Sequence, residues 1–466
     1  MSHRLRGLDR RLVLRPAQFA AAIVLAFGAA SASAAGLFGQ TDPDFQGQVQ
    51  VRESPVLPGQ QVTVVGQSFK PGQQVTLRYG NTVLNASPIV ADGEGGFQLS
   101  VALPADAQPG VHPVVITAEN PVAATVAPFK ISPDVPLANQ DRFRVSAQQL
   151  SPGLYQSAYS PKHDQLYVTT AIGRPPVRES RLLKVDPATL KIEASVAPAV
   201  VAGRDDGHVY AVYGVDVDDT RDTVWVTNTR DNTVAVYRQD DLSLVRQLEP
   251  GLAGHARDVA VDERRAKAYV STPGQAQVSV FDAVSFEPRP VIEIESGLRR
   301  QPFNPMSLVL DEEGGKLFVV SATGQVAVID TVTDAVEKVL AVPGARSASG
   351  VAYDGKTGRL FVASQGADNL VILDAANGEV LKTVATGAGA LNVVFDPVSR
   401  LAYVSNRGAN TVTVVDPDGT IVAVLEGGSL PNHASVDGKG NVYVVNKARG
   451  QDDPEGNKIR RLHYRR

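Results

Sequence analysis

The sequence contains no cysteine, and this absence excludes several classes of site. The 466-residue chain can form no disulfide bond, no thiolate metal site, no covalently attached c-type haem and no cysteine nucleophile. It also has no cysteine that could carry a bacterial lipoprotein anchor. A single tryptophan gives no basis for the stacked tryptophans of quinoprotein sites, and the G-x-S-x-G elbow of serine hydrolases is absent.

The first 34 residues have the pattern of a secretory signal peptide. Five arginines from Arg4 to Arg15 precede an apolar run from Phe19 to Ala30, and Ala32-Ser33-Ala34 offers a cleavage site. The run is about a dozen residues long, which is too short to span a bilayer. We therefore expect export to the periplasm or cell surface of a Gram-negative-type bacterium. Arg10-Arg11 partly resembles a twin-arginine signal, so both export routes stay open.

Acidic residues slightly outnumber basic ones, with 49 Asp and Glu against 45 Lys and Arg. Removal of the signal peptide takes away five arginines and one aspartate, which moves the formal net charge from −4 to −8. A negative chain is poorly suited to coating nucleic acid or an anionic membrane. We expect no membrane-spanning segment after signal removal, and we expect a monomer.

An aromatic residue followed by valine recurs seven times along the rest of the chain. The aromatic residues are Tyr167, Trp225, Tyr269, Phe318, Phe361, Tyr403 and Tyr443. The intervals run from 40 to 58 residues and hold short β-branched runs between Gly, Asn, Asp and Pro. A period of this length built from short strands is typical of a β-propeller. The sequence therefore predicts an all-β, seven-bladed propeller at residues 142–466.

The ring must also close, and the two ends of the repeat region indicate how. The last repeat supplies only three strands, which begin near Pro431, Val442 and Ile459. The extended segment from Arg142 to Val145 precedes the first repeat and has no other partner. We expect it to complete the last blade, because this pairing removes an exposed sheet edge.

A second module lies between the signal peptide and the ring. Residues 41–133 contain short strands separated by Gly/Pro turns, such as Gln61 to Val65 and Val75 to Tyr79. This pattern predicts an immunoglobulin-like β-sandwich. Residues 134–141 are then a linker.

Three repeat units resemble the Tyr-Val-Thr-Asn signature of YVTN propeller repeats. These units begin at Trp225, Tyr403 and Tyr443, and each ends in asparagine. The order of loop lengths is similar to that of periplasmic YncE-type proteins. The resemblance covers about 70 per cent of the chain and implies a seven-bladed ring. It implies no catalytic residue, and the preceding sandwich module departs from a minimal YncE-type protein.

Blades one and seven have longer loops between their second and third strands, at residues 171–180 and 447–457. These blades become neighbours when the ring closes, so we expect both loops on one rim, where a rigid scaffold commonly presents specificity loops. The innermost strands add polar residues that face the axis. The candidate ligand-binding residues of the rim and channel mouth are Gln156, Arg174, Arg178, Asn228, Arg230, His255, Asp258, Asn304, Asn392, Asn406, Arg407, Asn432, His433, Lys447 and Arg449.

We interpret this set as a polar pocket that holds a protein, peptide, glycan or small anionic ligand through Arg, Lys and Asn hydrogen bonds, without catalysis, cofactor or metal. Taken singly, each residue is also explained by turn capping or by a solvated charge. A metal-dependent hydrolase or lactonase is the first alternative, with candidate ligands near the axis at Asp258, Asn304, Asn392 and His433. Binding of single-stranded nucleic acid is the second, and the acidic charge opposes it.

Overall fold

The computed structural model describes residues 39–465, so the expected signal peptide lies outside the described residues. Residues 39–465 form strands and two short 3-10 helices, at Gln140–Arg142 and Thr229–Asp231, and include no α-helix. This part of the chain accordingly has no helix that is long and apolar enough to cross a membrane. It divides into two compact units, of which residues 39–52, 63–101 and 112–129 form the first and residues 53–62, 102–111 and 130–465 form the second.

The N-terminal strands form two antiparallel sheets. The strands are β1 (Gln48–Val51), β2 (Gln61–Gln67), β3 (Gln74–Tyr79), β4 (Thr82–Val83), β5 (Ile89–Val90), β6 (Phe97–Ala102), β7 (Gly110–Glu119) and β8 (Ala123–Ile131). One sheet has the order β1-β2-β6, and the other has the order β4-β3-β7-β8 with β5 also paired to β3. Alternate side chains are buried, among them Val62 and Val64 in β2 and Val75 and Leu77 in β3.

The remaining strands form seven sheets of four strands each, which confirms the predicted number of blades. The strand β9 (Phe143–Gln149) precedes the first blade, and blade one contains β10 (Leu154–Ser160), β11 (Gln165–Ile172), β12 (Glu179–Val185) and β13 (Ile192–Val196). Blade two contains β14 (Val215–Asp218), β15 (Thr223–Asn228), β16 (Thr233–Arg238) and β17 (Leu244–Gln247). Blade three contains β18 (Val259–Asp262), β19 (Lys267–Ser271), β20 (Gln277–Asp282) and β21 (Pro288–Glu293). Blades four and five contain β22 (Pro305–Asp311), β23 (Lys316–Ser321), β24 (Gln325–Asp330), β25 (Ala335–Ala341), β26 (Ala348–Asp354), β27 (Arg359–Ser364), β28 (Asn369–Asp374) and β29 (Val380–Ala385). Blades six and seven contain β30 (Ala390–Asp396), β31 (Leu401–Asn406), β32 (Thr411–Val415), β33 (Ile421–Glu426), β34 (Pro431–Val436), β35 (Asn441–Asn446) and β36 (Lys458–Tyr464).

The last blade takes its fourth strand from the start of the ring, as predicted. Its order is β34-β35-β36-β9, and β9 pairs antiparallel with β36 from Phe143↔Tyr464 to Gln149↔Lys458. The strand begins at Phe143 rather than at Arg142, because Arg142 ends the short 3-10 helix before it. The expected linker is held to the ring, since Ala138 forms a β-bridge with Val424 of blade six.

The core of the ring lies between adjacent blades. The second strand of each blade is covered on both faces by the neighbouring blades. Consecutive residues in it are therefore apolar and buried, as at Val224, Trp225 and Val226, which are all 0% exposed. Trp225 and Val236 of blade two pack with Val259 and Phe281 of blade three. The same type of cluster joins blades one and seven, which contact each other as expected.

The innermost strands of adjacent blades approach each other closely. A Cβ atom added to Gly350 would lie 2.8 Å from both the Cα atom of Asn392 and the backbone nitrogen of Val393. These atoms belong to the backbone of the next blade and cannot move aside, so the position requires glycine. The close approach brings residues from several blades to one axial site.

Candidate functional site

A cavity of about 350 Å³ opens at the axial end of the ring where the innermost strands begin. All of its lining residues belong to the second compact unit. They are Tyr155, Gln156, Tyr213, Thr229, Arg230, His255, Arg257, Pro273, Met306, Ser307, Gln365, Leu391, Asn392, Arg407, Asn432 and His433. We call this cavity the mouth pocket. It brings together seven of the candidate residues, namely Gln156, Arg230, His255, Asn392, Arg407, Asn432 and His433.

Irregular backbone pairing at the top of the innermost strands shapes the mouth pocket. In blade one the pairing of β10 with β11 shifts register between Leu154 and Ser157, and in blade six the pairing of β30 with β31 shifts between Ala390 and Asn392. Blades four, five and seven have the same shift in their first strands. A bulge breaks the alternation of side chains, so two consecutive residues can face one side. Tyr155 and Gln156, for example, both line the pocket.

Several polar residues of the pocket are fixed by hydrogen bonds between blades. The backbone N–H of Val215 donates to Gln156 Oε1 at 3.1 Å, and that of Ala434 donates to Asn392 Oδ1 at 2.9 Å. Each of these hydrogen bonds links the backbone of one blade to a side chain of the blade before it. They therefore connect adjacent blades and fix the orientation of the Gln156 and Asn392 side-chain amides. Among residues 39–465 the Nδ2 atom of Asn392 has no hydrogen-bond acceptor, so it can donate to a ligand.

Positive charge gathers at the pocket without matching negative charge. Arg230, Arg257 and Arg407 line it, and the lining set includes no Asp or Glu. In the described part of the chain none of the three has a carboxylate oxygen within 4.0 Å of its guanidinium. The Nε atom of Arg257 is buried and makes no hydrogen bond there. Arg257 and Arg407 are half-buried, whereas Arg230 is exposed. A desolvated cation without a partner is costly, so Arg257 and Arg407 favour an incoming anion.

Lys447 adds a fourth cation at the edge of the pocket. Its Nζ atom lies 3.0 Å from the centroid of the Tyr155 ring. Asn432 Nδ2 donates to the backbone carbonyl of Tyr155 at 2.6 Å, and Asn432 Oδ1 accepts from Arg407 Nη1 at 2.5 Å. The Tyr155 ring also makes an edge-on contact with Tyr213, with centroids 4.6 Å apart. Blades one, two, six and seven thus meet in one continuous set of contacts.

The local environment lowers the pKa values of Lys447, Arg257 and Arg407. Burial, reinforced by nearby Arg407, lowers the pKa of Lys447 to about 6. Burial also lowers the pKa values of Arg257 and Arg407, and Asp258 partly opposes the shift of Arg257. Arginine keeps its charge even so, because its ordinary pKa is far above neutrality. An anion in the pocket would restore the charge of Lys447 by supplying the missing partner.

The two histidines of the pocket are neutral at physiological pH. Burial and the nearby charge of Arg257 lower the pKa of His433 to about 3. His433 Nδ1 accepts a hydrogen bond from the backbone N–H of Ser157 at 3.3 Å, which leaves the ring proton on Nε2. Burial first, then Arg230 and Arg257, lower the pKa of His255. Both rings therefore act as neutral hydrogen-bonding groups.

Four candidate residues lie outside the lining set because the scaffold uses their polar atoms. The amides of Asn228 and Asn406 are 0% exposed, and both donate to backbone carbonyls, such as those of Tyr210 and Thr386. Asn304 Oδ1 accepts from the backbone N–H of Gly274 at 2.8 Å. Asp258 is buried and accepts from the backbone N–H of Leu308 at 3.1 Å, and its pKa is raised by burial.

The long loops do not present their cations as one group. In blade one the ladder continues to the pair Ile172↔Glu179, so most of the expected loop is strand and only residues 173–178 form its tip. Arg174 and Arg178 both lie in this tip, and Arg178 Nε donates to the backbone carbonyl of Asp206 at 2.9 Å. Arg449 Nη2 donates to Asn410 Oδ1 of blade six at 3.1 Å. Of the four loop cations, Lys447 is the one that contacts a pocket residue.

Sequence reasoning left Tyr155, Tyr213 and Arg257 out of the candidate set. These three residues each come one position before the residue of their blade that was expected to face the axis. The residues at the same position in three other blades, Met306, Leu391 and Asn432, also line the pocket. Strict alternation assigns this position to the opposite face, and the bulges change its direction. The repeat itself contains a signal that could have identified further pocket residues. The position four residues after the recurring aromatic of a blade lies at or beside the pocket in several blades, as at Pro273, Gln365, Arg407 and Lys447.

Residues 39–465 contain no cluster of three or more His, Asp or Glu side chains that could hold a metal ion. Asp258 and His433 lie near the axis, but their acceptor atoms receive backbone hydrogen bonds from neighbouring blades. The arrangement of these residues therefore does not favour a metal-dependent hydrolase over a binding protein.

Comparisons with known proteins agree with the fold. No family model matches the chain. Among curated proteins, the uncharacterized protein YncE of Salmonella typhimurium is 24% identical over 340 residues, which cover 68% of this chain and 89% of the relative. The uncharacterized protein YncE of Escherichia coli K12 is 24% identical over 260 residues, covering 53% and 68% respectively. Among solved structures, the hydrazine synthase of Kuenenia stuttgartiensis aligns with a TM-score of 0.53 at 17% identity, over 63% of this chain and 93% of that chain. The chain is thus a β-propeller that is similar in sequence to the YncE proteins, and the structural likeness concerns the fold alone.

Proposed function

We propose that this protein is an exported, non-catalytic binding protein whose propeller holds an anionic group of its ligand in the mouth pocket. The proposal rests on three arginines, Arg230, Arg257 and Arg407, that line one cavity with no carboxylate partner in the described residues. Lys447 at the edge of this cavity gains its charge when an anion binds. Charge-assisted hydrogen bonds from arginine are among the strongest that a binding site can supply. The ligand is a protein, a peptide, a glycan or a small anion.

The pocket also has an apolar side that shapes what can enter. Tyr155, Tyr213, Met306 and Leu391 line it together with the arginines. A volume of about 350 Å³ is at the lower end of the range for small-molecule sites. The ligand group therefore combines a negative charge with an apolar body that packs on these side chains.

Isothermal titration with sodium sulfate at constant ionic strength tests the proposal, because sulfate is a dianion throughout the neutral pH range. We expect saturable binding that weakens at least tenfold in Arg257→Gln and in Arg407→Gln. Arg174→Gln and Arg178→Gln are matched controls, since they remove the same charge outside the pocket. Equal affinities in all five proteins, or no binding to the wild type, would remove the basis of the proposal.

In this proposal, the segments of the chain that precede the propeller serve to export it and to position it. Residues 1–34 are a signal peptide that directs the protein to the periplasm or cell surface. Residues 41–133 form an immunoglobulin-like domain, a spacer or second contact, and residues 134–141 connect it to the propeller at 142–466. Cell fractionation of the full-length protein and of a variant lacking residues 2–34 tests the export step. Equal amounts of both proteins in the periplasm would contradict it.

A further inference from the structure

A second cavity of about 320 Å³ adjoins the mouth pocket at the rim of blades two and three. The two cavities share His255 and Pro273 in their linings, so they lie side by side. The other residues of the second cavity are Asn232, Gly251, Gly254, Gly274 and Gln275. We call it the side groove. It leads from the cationic mouth pocket toward the outside of the ring.

The side groove differs from the mouth pocket in charge. Its lining includes no Lys, Arg, Asp or Glu, and His255, which it shares, has a lowered pKa because of its burial. The side-chain oxygens of Asn232 and Gln275 accept hydrogen bonds from the His255 backbone N–H and from Gln277 Nε2, so these two side chains offer N–H donors to a ligand. Three glycines leave backbone exposed along the groove. Such a path suits an uncharged chain with amide groups of its own. A single-stranded nucleic acid would place a phosphate at every step and would need cations along the whole path.

Glycine is required at two points of the groove for reasons of conformation. Gly251 and Gly274 have φ values of +92° and +84°, which other residues adopt only with strain. A Cβ atom at Gly254 would lie 2.5 Å from the side-chain amide of Gln275. Gly254 therefore lets the Gln275 side chain lie over this loop, where it forms part of the groove wall.

The mouth pocket is larger than a lone carboxylate requires, and its lining residues suit the C-terminal end of a polypeptide. Arg257 and Arg407 can hold a carboxylate, while Met306 and Leu391, which also line the cavity, provide apolar surface for a side chain. A peptide C-terminus carries both groups on one carbon atom. The uncharged groove then receives the residues that precede it.

We propose that the mouth pocket and the side groove together bind the C-terminus of an extended polypeptide, with its carboxylate at Arg257 and Arg407, its last side chain against Met306 and Leu391, and its preceding residues in the side groove. This inference rests on the proposed anion-binding function and specifies the ligand class. Capture of a C-terminal carboxylate is a known mode of peptide recognition.

The test uses the whole mature protein and a random heptapeptide library with free C-terminal carboxylates, alongside the same library with C-terminal amides. Peptides retained on immobilised protein are quantified by mass spectrometry. We expect at least tenfold greater retention of the free-acid library and a preference for an apolar last residue. Equal retention of both libraries overturns the inference. Stronger retention of a single-stranded oligonucleotide or an acidic oligosaccharide than of any peptide also overturns it.

A variant in the groove separates this inference from the simpler anion site. Gln275→Trp adds bulk to the groove wall, so retention of the free-acid library should fall at least fivefold while sulfate affinity stays unchanged. Val284→Trp is the control, because Val284 lies in an exposed turn of the same blade, outside both cavities. If sulfate binds but Gln275→Trp retains the library like wild type, the peptide inference fails alone. If sulfate does not bind, the anion-binding function fails as well.

Discussion

Lys447 Nζ lies 3.0 Å from the centroid of the Tyr155 ring, so a lysine of blade seven covers an aromatic residue of blade one. The contact spans the point where the ring closes, and both residues border the mouth pocket. The pKa of Lys447 is lowered to about 6 by burial and by Arg407. At neutral pH most of the lysine is therefore uncharged, and an anion that enters the pocket favours its protonated form.

This linkage predicts that anion affinity depends on pH. Lys447 gains its charge as pH falls through about 6, so sulfate should bind about tenfold more tightly at pH 5 than at pH 8. In Lys447→Met the pH dependence should largely disappear, and His255→Gln should keep it. Titration calorimetry of the three proteins across this range measures the effect. A pH profile that is the same in Lys447→Met as in wild type would contradict the role of the lysine.

The half-buried arginine of blade three should cost stability in the absence of ligand. Arg257 has a buried Nε without a hydrogen-bond partner in the described residues, so Arg257→Met should raise the melting temperature by about 2–4 °C while weakening sulfate binding. Arg265 in the same blade is the matched control, because it pairs at 2.9 Å with Asp262, which is 0% exposed. Arg265→Met should lower the melting temperature, since it leaves a buried carboxylate unpaired. Thermal unfolding by circular dichroism distinguishes the two, and destabilisation by both would argue against a strained binding residue at Arg257.

Ring closure should depend on the apolar side chain that begins β9. Phe143 is 4% exposed and packs edge-on against Tyr403, with ring centroids 6.3 Å apart. Phe143→Ala should cost about 3–5 kcal/mol in unfolding free energy. Val145→Ala on the same strand should cost less than about 1 kcal/mol, because Val145 is 48% exposed. Urea unfolding measures both values, and similar losses would show that closure does not rest on this packing.

The close approach of the innermost strands gives a further test. Gly350→Ala should destabilise the ring by about 1–3 kcal/mol, because its Cβ would meet the backbone of Asn392. Gly355→Ala in the same blade is the control, since a Cβ there would meet only the Tyr353 ring at 3.7 Å. Urea unfolding of both variants provides the comparison. Equal stability of the two proteins would mean that the inner strands separate more easily than their packing indicates.

The fold was predictable because each blade repeats one local pattern. A buried aromatic such as Tyr269, with valine after it, marks the second strand of a blade, and the recurrence fixes the blade count without any long-range information. Closure through residues 143–149 was predictable for a similar reason, because three strands at the C-terminus leave an edge that needs a partner. The exact start of β9 was not predictable, since Arg142 is taken into a 3-10 turn by local backbone hydrogen bonding.

The site was predictable only in part. Polar residues at the axis-facing position, such as Gln156 and His433, follow from alternation along a strand. Tyr155 and Arg257 were missed because they take their direction from irregularities at the strand starts, which the sequence does not mark. The pairing of Asn228 and Asn406 with buried carbonyls was missed for a different reason. Asparagine after a strand looks the same in sequence whether it faces a ligand or the interior.

An anomalous difference map of a selenate-soaked crystal would show whether the mouth pocket binds an anion. Selenate has the shape and charge of sulfate, and selenium identifies its own position. We expect a peak within hydrogen-bond distance of Arg257 and Arg407 that is absent from crystals of Arg257→Gln. Peaks confined to other surfaces, or a pocket peak that persists in Arg257→Gln, would contradict it.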